Sequence, residues 1–231
     1  MKISVSMLSS YLYCSRKLFL QKVLAVEEPP KESLVLGSLR HEIYDFINQS
    51  EEKIVSSIKE KIQYSELISL YKNFYSRALR ERIIKNKSKI KEVNLDMVDV
   101  FKRTWHLILN EAEIRAKNIF DFIQKYDIYG YELWEKLTPK IISEQRVESN
   151  ELQLRGIIDR IEVYEKSYTP VELKTGKIPK DGVWPGHRIQ IIAYAMLLEE
   201  KFKTQVKEGF INYLDAKETR QIAINPFMRE E

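Results

Sequence analysis

A chain of 231 residues, 44% of them hydrophobic, is long enough to bury one large core or two small ones, which excludes a wholly disordered protein. Charged residues make up 31% yet leave a net charge of only +4, so composition permits a nucleic-acid partner without demanding one. No run of about 18 apolar residues and no secretory signal pattern is present, and the single cysteine, Cys14, excludes an internal disulfide framework and fits a reducing cytoplasm.

Ser6 to Val23 is a predicted helix, with Ser6 or Ser9 as its cap and Leu8, Leu12, Leu18 and Leu20 at apolar positions. Tyr11, Tyr13, Arg16, Lys17, Phe19 and Lys22 add aromatic and basic groups to it. Pro29 and Pro30 break the chain, and a second helix is predicted from about Ser33 to Asn48. Residues 50 to about 128 are rich in Lys, Glu and Ile, with Ile54, Ile58, Ile62 and Leu67 near a 3.6-residue period, and Phe101, Trp105, Ile108 and Ala112 repeat the pattern. No glycine falls between Gly37 and Gly130, so several helices are expected, with runs such as Lys85 to Lys91 on solvated faces.

After Pro139 the period changes to two. Lys140–Glu148, Leu152–Val163 and Pro170–Lys174 read as strands, His187–Phe202 as a buried helix, and Glu208–Leu214 and Thr219–Ile224 as two final strands. The order describes an α/β core with a helical insertion ahead of it. In the second strand Ile157, Asp159, Ile161 and Val163 alternate onto one face, placing a carboxylate in an apolar row. In the third, Glu172 and Lys174 share a face and Val171 and Leu173 take the other. Six residues, Tyr164 to Thr169, join the two and allow an antiparallel hairpin.

Such a hairpin would bring two carboxylates and an ammonium together. Their burial is costly unless they pair or hold a cation. Phosphodiester cleavage needs charge neutralisation and an activated water, both of which Mg²⁺ or Mn²⁺ supplies. Hard cations take oxygen ligands, which suits Asp159, Glu172 and the Leu173 backbone carbonyl. Lys174 would orient the water or steady charge on phosphorus. Taken singly, each residue has a plainer reading. Asp159 would be a salt-bridge residue, His41 a hydrogen-bonded structural histidine, Gln190 and Tyr194 core-helix residues, and Cys14 a buried small hydrophobe. Their joint order along the chain favours a site.

Asp159 followed by Glu172-x-Lys174 resembles the PD-(D/E)xK signature of RecB-like nucleases. Gly37-Ser-Leu-Arg-His41 resembles an upstream Gly-x-x-x-His motif, whose histidine the resemblance makes a metal ligand. Glu144 falls where many members carry an acid, implying a role in the second shell of the metal. Gln190-Ile-Ile-Ala-Tyr194 resembles the Gln-x-x-x-Tyr helix motif, which implies that both position Lys174 or the scissile phosphate. Tyr13-Cys14-Ser-Arg16-Lys17-Leu resembles the start of the fourth CRISPR-associated family, the Cas-four nucleases. There the cysteine is the first of four thiolates on an iron–sulfur cluster. Ser15 replaces a proline, and no second cysteine follows before Glu231, so no cluster is expected from this chain.

The resemblance implies a restriction-endonuclease-like core, a mixed sheet flanked by helices with a large helical insertion. The expected division is 1–49 as an N-terminal helical segment contributing to the core, 50–135 as a helical subdomain and 136–231 as the α/β core. The implied activity is a metal-dependent exonuclease, with endonuclease activity a further option, on single-stranded DNA or overhangs. It would trim pre-spacers beside the Cas-one integrase. Tyr11, Tyr13, Arg16 and Lys17 are candidate DNA contacts, and His187 a candidate phosphate contact. Two alternatives stay open: a repair or mobile-element nuclease, and a non-catalytic DNA-binding subunit.

Overall fold

The computed structural model describes residues 2–165 and 167–230. The chain forms two compact units, residues 30–138 and, around that insertion, residues 1–29 with 139–231. The inserted unit is helical: α2 (Glu32–Ser56), α3 (Tyr64–Lys85), α4 (Lys87–Glu92), α5 (Met97–Tyr126) and α6 (Gly130–Lys136). Asp96 caps α5, its Oδ1 accepting from the backbone N–H of Val98 at 2.8 Å and of Asp99 at 3.1 Å. Apolar positions at helical spacing bury Ile43, Ile47, Leu67, Tyr71, Ile108 and Ile119. Amid them Arg115 donates to Glu111 and Glu51, each at 2.7 Å, and to Asn48, while Tyr71 donates to Glu51 at 2.6 Å. The guanidinium is thus buried with two carboxylates, the condition under which a charge survives inside a core. Lys85, Lys87, Lys89 and Lys91 are exposed, as expected of a solvated face.

The other unit carries the sheet. Its strands are β1 (Ile3–Ser4), β2 (Lys140–Ser149), β3 (Leu154–Tyr164), β4 (Ser167–Lys174), β5 (Glu208–Tyr213) and β6 (Glu218–Ala223). The order is β1-β3-β4-β5-β6, with β2 also on β3. β2–β3, β3–β4 and β5–β6 are antiparallel, and β1–β3 and β4–β5 are parallel. This is a mixed sheet flanked by helices, a restriction-endonuclease-like α/β fold. Helix α7 (Pro185–Phe202) supplies the crossover that two parallel strands require. It packs on the sheet and on α1 (Val5–Lys22), so Ile191, Ala195, Leu197 and Leu198 are all buried. A short helix, α8 (Pro226–Glu230), closes the described chain. No helix among the described residues is long and apolar enough to cross a membrane.

Four sequence expectations need correction. First, β4 begins at Ser167, which pairs with Tyr164, so most of the expected connection is strand. Second, Ile158 is fully buried and Ile157 is 44% exposed, so the apolar row of β3 does not run through Ile157. Third, α1 is not one continuous helix: Cys14 has extended dihedrals (φ −166°, ψ 101°) and divides it. Fourth, Cys14 is exposed rather than a buried hydrophobe. Its sulfur accepts from the Lys17 N–H at 3.4 Å, capping the helical turn that resumes after the break.

Candidate active site

The site grows from a gap in the sheet. One edge of β3 carries β1 at Leu154–Arg155 and β4 at Arg160–Tyr164. Gly156 to Asp159, between them, pairs with neither. The Leu173 N–H, which would lie next along the ladder, donates instead to the Asp159 carboxylate at 2.8 Å. The Ile157 carbonyl receives the Tyr194 hydroxyl at 2.7 Å. Side chains thus replace ladder bonds where the strands part, keeping buried backbone groups satisfied.

Register arithmetic aligns the carboxylates. Arg160 pairs with Val171, so one step further places Asp159 level with Glu172. Ser143 pairs with Arg160 and Gln145 with Ile158, so Glu144 lies level with Asp159 on the other side. Glu144 has a left-handed backbone (φ 48°), costly for a residue with a side chain and found where surroundings hold the chain in place. Like charges level on neighbouring strands repel. Glu144 and Asp159 each bring a carboxylate oxygen within 4.8 Å of the other, and oxygen donors are the set that a hard divalent cation prefers.

Lys174 sits beside Glu172 on β4, with Nζ 2.8 Å from Glu172 Oε1 and 2.9 Å from Gln190 Oε1. Gln190 Nε2 donates to the same Glu172 oxygen at 2.6 Å and to the Tyr194 hydroxyl at 3.2 Å. One amide therefore fixes the ammonium and the carboxylate together. Gln190 and Tyr194 reach it from one face of α7 because they are four residues apart. Burial, and then the Glu172 carboxylate, push the Tyr194 pKa well up, so its hydroxyl stays protonated and donates.

Asp159, Glu172, Gln190 and Tyr194 line one cleft of about 690 Å³. Arg146 and Arg155 also line it. Sequence reasoning passed over both, although period-two alternation from Asp159 through Ile157 reaches Arg155. His187 lies one turn before Gln190 and lines a separate cleft with Tyr13 and Lys17. Tyr11, Tyr13, Arg16 and Lys17 are exposed on α1. His41 is half-buried on α2, in the helical unit, and His106 is exposed on α5.

The family model of the PD-(D/E)XK nuclease superfamily matches residues 2–228. The chain belongs to the PD-(D/E)XK nuclease superfamily. Nucleases of this superfamily depend on divalent metal, in keeping with the oxygen donors gathered on β2, β3 and β4. Over 111 residues the chain is also 32% identical to a CRISPR-associated exonuclease Cas4/endonuclease Cas1 fusion of Leptospira interrogans serogroup Icterohaemorrhagiae serovar Lai (strain 56601). That match takes in 44% of this chain and 20% of the relative, so the relative is much the longer protein.

Proposed function

We propose that this nuclease uses Mn²⁺ or Mg²⁺ to cleave single-stranded DNA or single-stranded overhangs, chiefly as an exonuclease, and that it trims pre-spacers in CRISPR adaptation. The observation that carries the nuclease site is Asp159 level with Glu172, with Lys174 and Gln190 bonded to the same Glu172 oxygen. Asp159, Glu172 and the Leu173 carbonyl would hold the cation, with Glu144 as an outer partner. When bound, the cation supplies charge neutralisation for the phosphate and activation of water near neutral pH. Lys174 steadies negative charge on phosphorus or orients the attacking water. Gln190 holds the Lys174 amine in place, and Tyr194 holds Gln190.

The single-strand preference is supported by α1, where Tyr11, Tyr13 and Phe19 are exposed beside Arg16 and Lys17. Aromatic rings among cations bind unpaired bases with little regard to sequence. The CRISPR assignment, with Cas1 as partner, is supported by the name of the Leptospira relative, a Cas4/Cas1 fusion; the cytoplasm as compartment is supported by the single cysteine. The test compares initial cleavage rates on matched single-stranded, overhang and blunt duplex DNA with Mn²⁺, with and without Cas1. Single strands and overhangs should be cut faster than blunt ends. Equal rates on blunt duplex would refute the preference and favour a restriction-like role.

A further inference from the structure

A second cleft, of about 670 Å³, plays no part in the chemistry assigned above. It is lined by Tyr13 and Lys17 of α1, by Thr175 and Lys177 just after β4, and by Trp184 and His187 at the start of α7. Its volume lies within the range of roughly 300–1,000 Å³ usual for small-ligand sites. Its lining stands next to the catalytic residues at two points. Thr175 follows Lys174 directly, and His187 stands one turn from Gln190, which holds Lys174.

Three features shape this cleft for a base and a phosphate. Trp184 remains 44% exposed although its Nε1 is anchored to the Lys177 carbonyl at 3.2 Å, so a large ring is held in place yet accessible. Tyr13, 82% exposed, brings a second ring. The imidazole is also fixed. The Tyr213 hydroxyl lies 3.1 Å from His187 Nδ1. In the tautomer where the hydroxyl donates to Nδ1, Nε2–H is the remaining donor of the ring. Burial, and next the Lys174 ammonium, lower the His187 pKa to about 4, so the ring is neutral near pH 7 and serves as a donor rather than a cation. Gly186 belongs to the same construction: a Cβ there would lie 2.8 Å from Ser9 Oγ and 3.0 Å from the Ser9 carbonyl, so glycine lets α7 start against α1.

We propose that this cleft is the subsite for the nucleotide adjoining the scissile phosphate, its base stacked on Trp184 and Tyr13 and its phosphate held by His187 Nε2–H and Lys177. The assignment rests on the nuclease reading above and extends it to a specificity-bearing pocket. Stacking is tolerant of sequence, because every base has a π-face. The subsite therefore selects unpaired bases rather than a particular base, since a base still paired in a duplex cannot turn its face to a ring.

The test is the affinity of a fluorescein-labelled single-stranded oligodeoxythymidine, read by anisotropy in the Lys174→Ala background so that the probe stays whole. Trp184→Ala should weaken binding by at least about fivefold, and Trp184→Phe should stay within twofold of the parent because it keeps a ring. An abasic strand of equal length should bind the parent more weakly than the intact strand, and the difference should shrink in Trp184→Ala, where Tyr13 alone of the two rings remains to stack. Trp184→Ala binding as the parent does overturns the subsite. So does a loss of equal size in Trp184→Phe, which would trace the effect to the indole bond with Lys177. A parent that holds no oligonucleotide overturns it too. Failure of the nuclease reading shows separately, as an unmutated protein that leaves the strand uncut with Mn²⁺. Thermal melts of each variant confirm that the folds match.

Discussion

At the scale of single residues, Glu172 has two jobs that separate experimentally. Its Oε1 takes both the Lys174 ammonium and the Gln190 amide, and its charge completes the row with Asp159 and Glu144. Asp159→Ala or Glu172→Ala should abolish metal-dependent cleavage, since either change leaves the cation short of a charged ligand. DNA binding should persist or tighten, because negative charge near the phosphate is gone. Cleavage by Asp159→Ala at the parental rate would sink the metal assignment. Lys174→Ala should act differently. It removes a group that works in the chemical step, so single-turnover rates should fall by about 100-fold or more while metal affinity changes little. A change below about threefold, worth less than 1 kcal/mol of barrier, would make Lys174 a structural cation.

At the scale of elements, β3, α1 and α7 converge on Gly156. A Cβ there would lie 2.6 Å from Tyr194 Cε1 and 3.2 Å from Val5 Cγ2. Gly156→Ala should therefore cost about 1–3 kcal/mol through overpacking and displace Tyr194 from the Ile157 carbonyl and from Gln190. Melting temperature and single-turnover rate, the latter at a temperature where the variant is folded, should both fall. An unchanged rate would mean that the Tyr194–Gln190 contact does not position Lys174. The convergence itself was not legible in the sequence. Period two exposed β2, β3 and β4, and helical spacing exposed α7 with Gln190 and Tyr194 on one face. β1 is only two residues long, too short to show a period, and its parallel pairing with β3 joins distant parts of the chain. The break at Cys14 was hidden because leucines continue on both sides of it. Trp184 was passed over because a lone aromatic between strand and helix has no periodic signal; only its bond to Lys177 reveals a role.

At the scale of the whole molecule, the proposed cation site would make cation binding a stability term. A ligand that binds only the folded state at about 100 times its dissociation constant adds about 2.7 kcal/mol, which in a chain of this size raises the melting temperature by roughly 5–10 °C. Mn²⁺ should therefore stabilise the parent protein, with no DNA present and no activity measured. Asp159→Asn isolates the cause. The amide keeps the shape of the side chain and an oxygen for the Leu173 N–H, but it removes one of the like charges standing level across β2, β3 and β4. Without metal the variant should melt no lower than the parent, because repulsion within the row has been relieved. With Mn²⁺ its melting temperature should stay where it was, while the parent's climbs. Calorimetric melts of both proteins across a Mn²⁺ series check this, and a full Mn²⁺ shift in Asp159→Asn would place the cation somewhere other than between these strands.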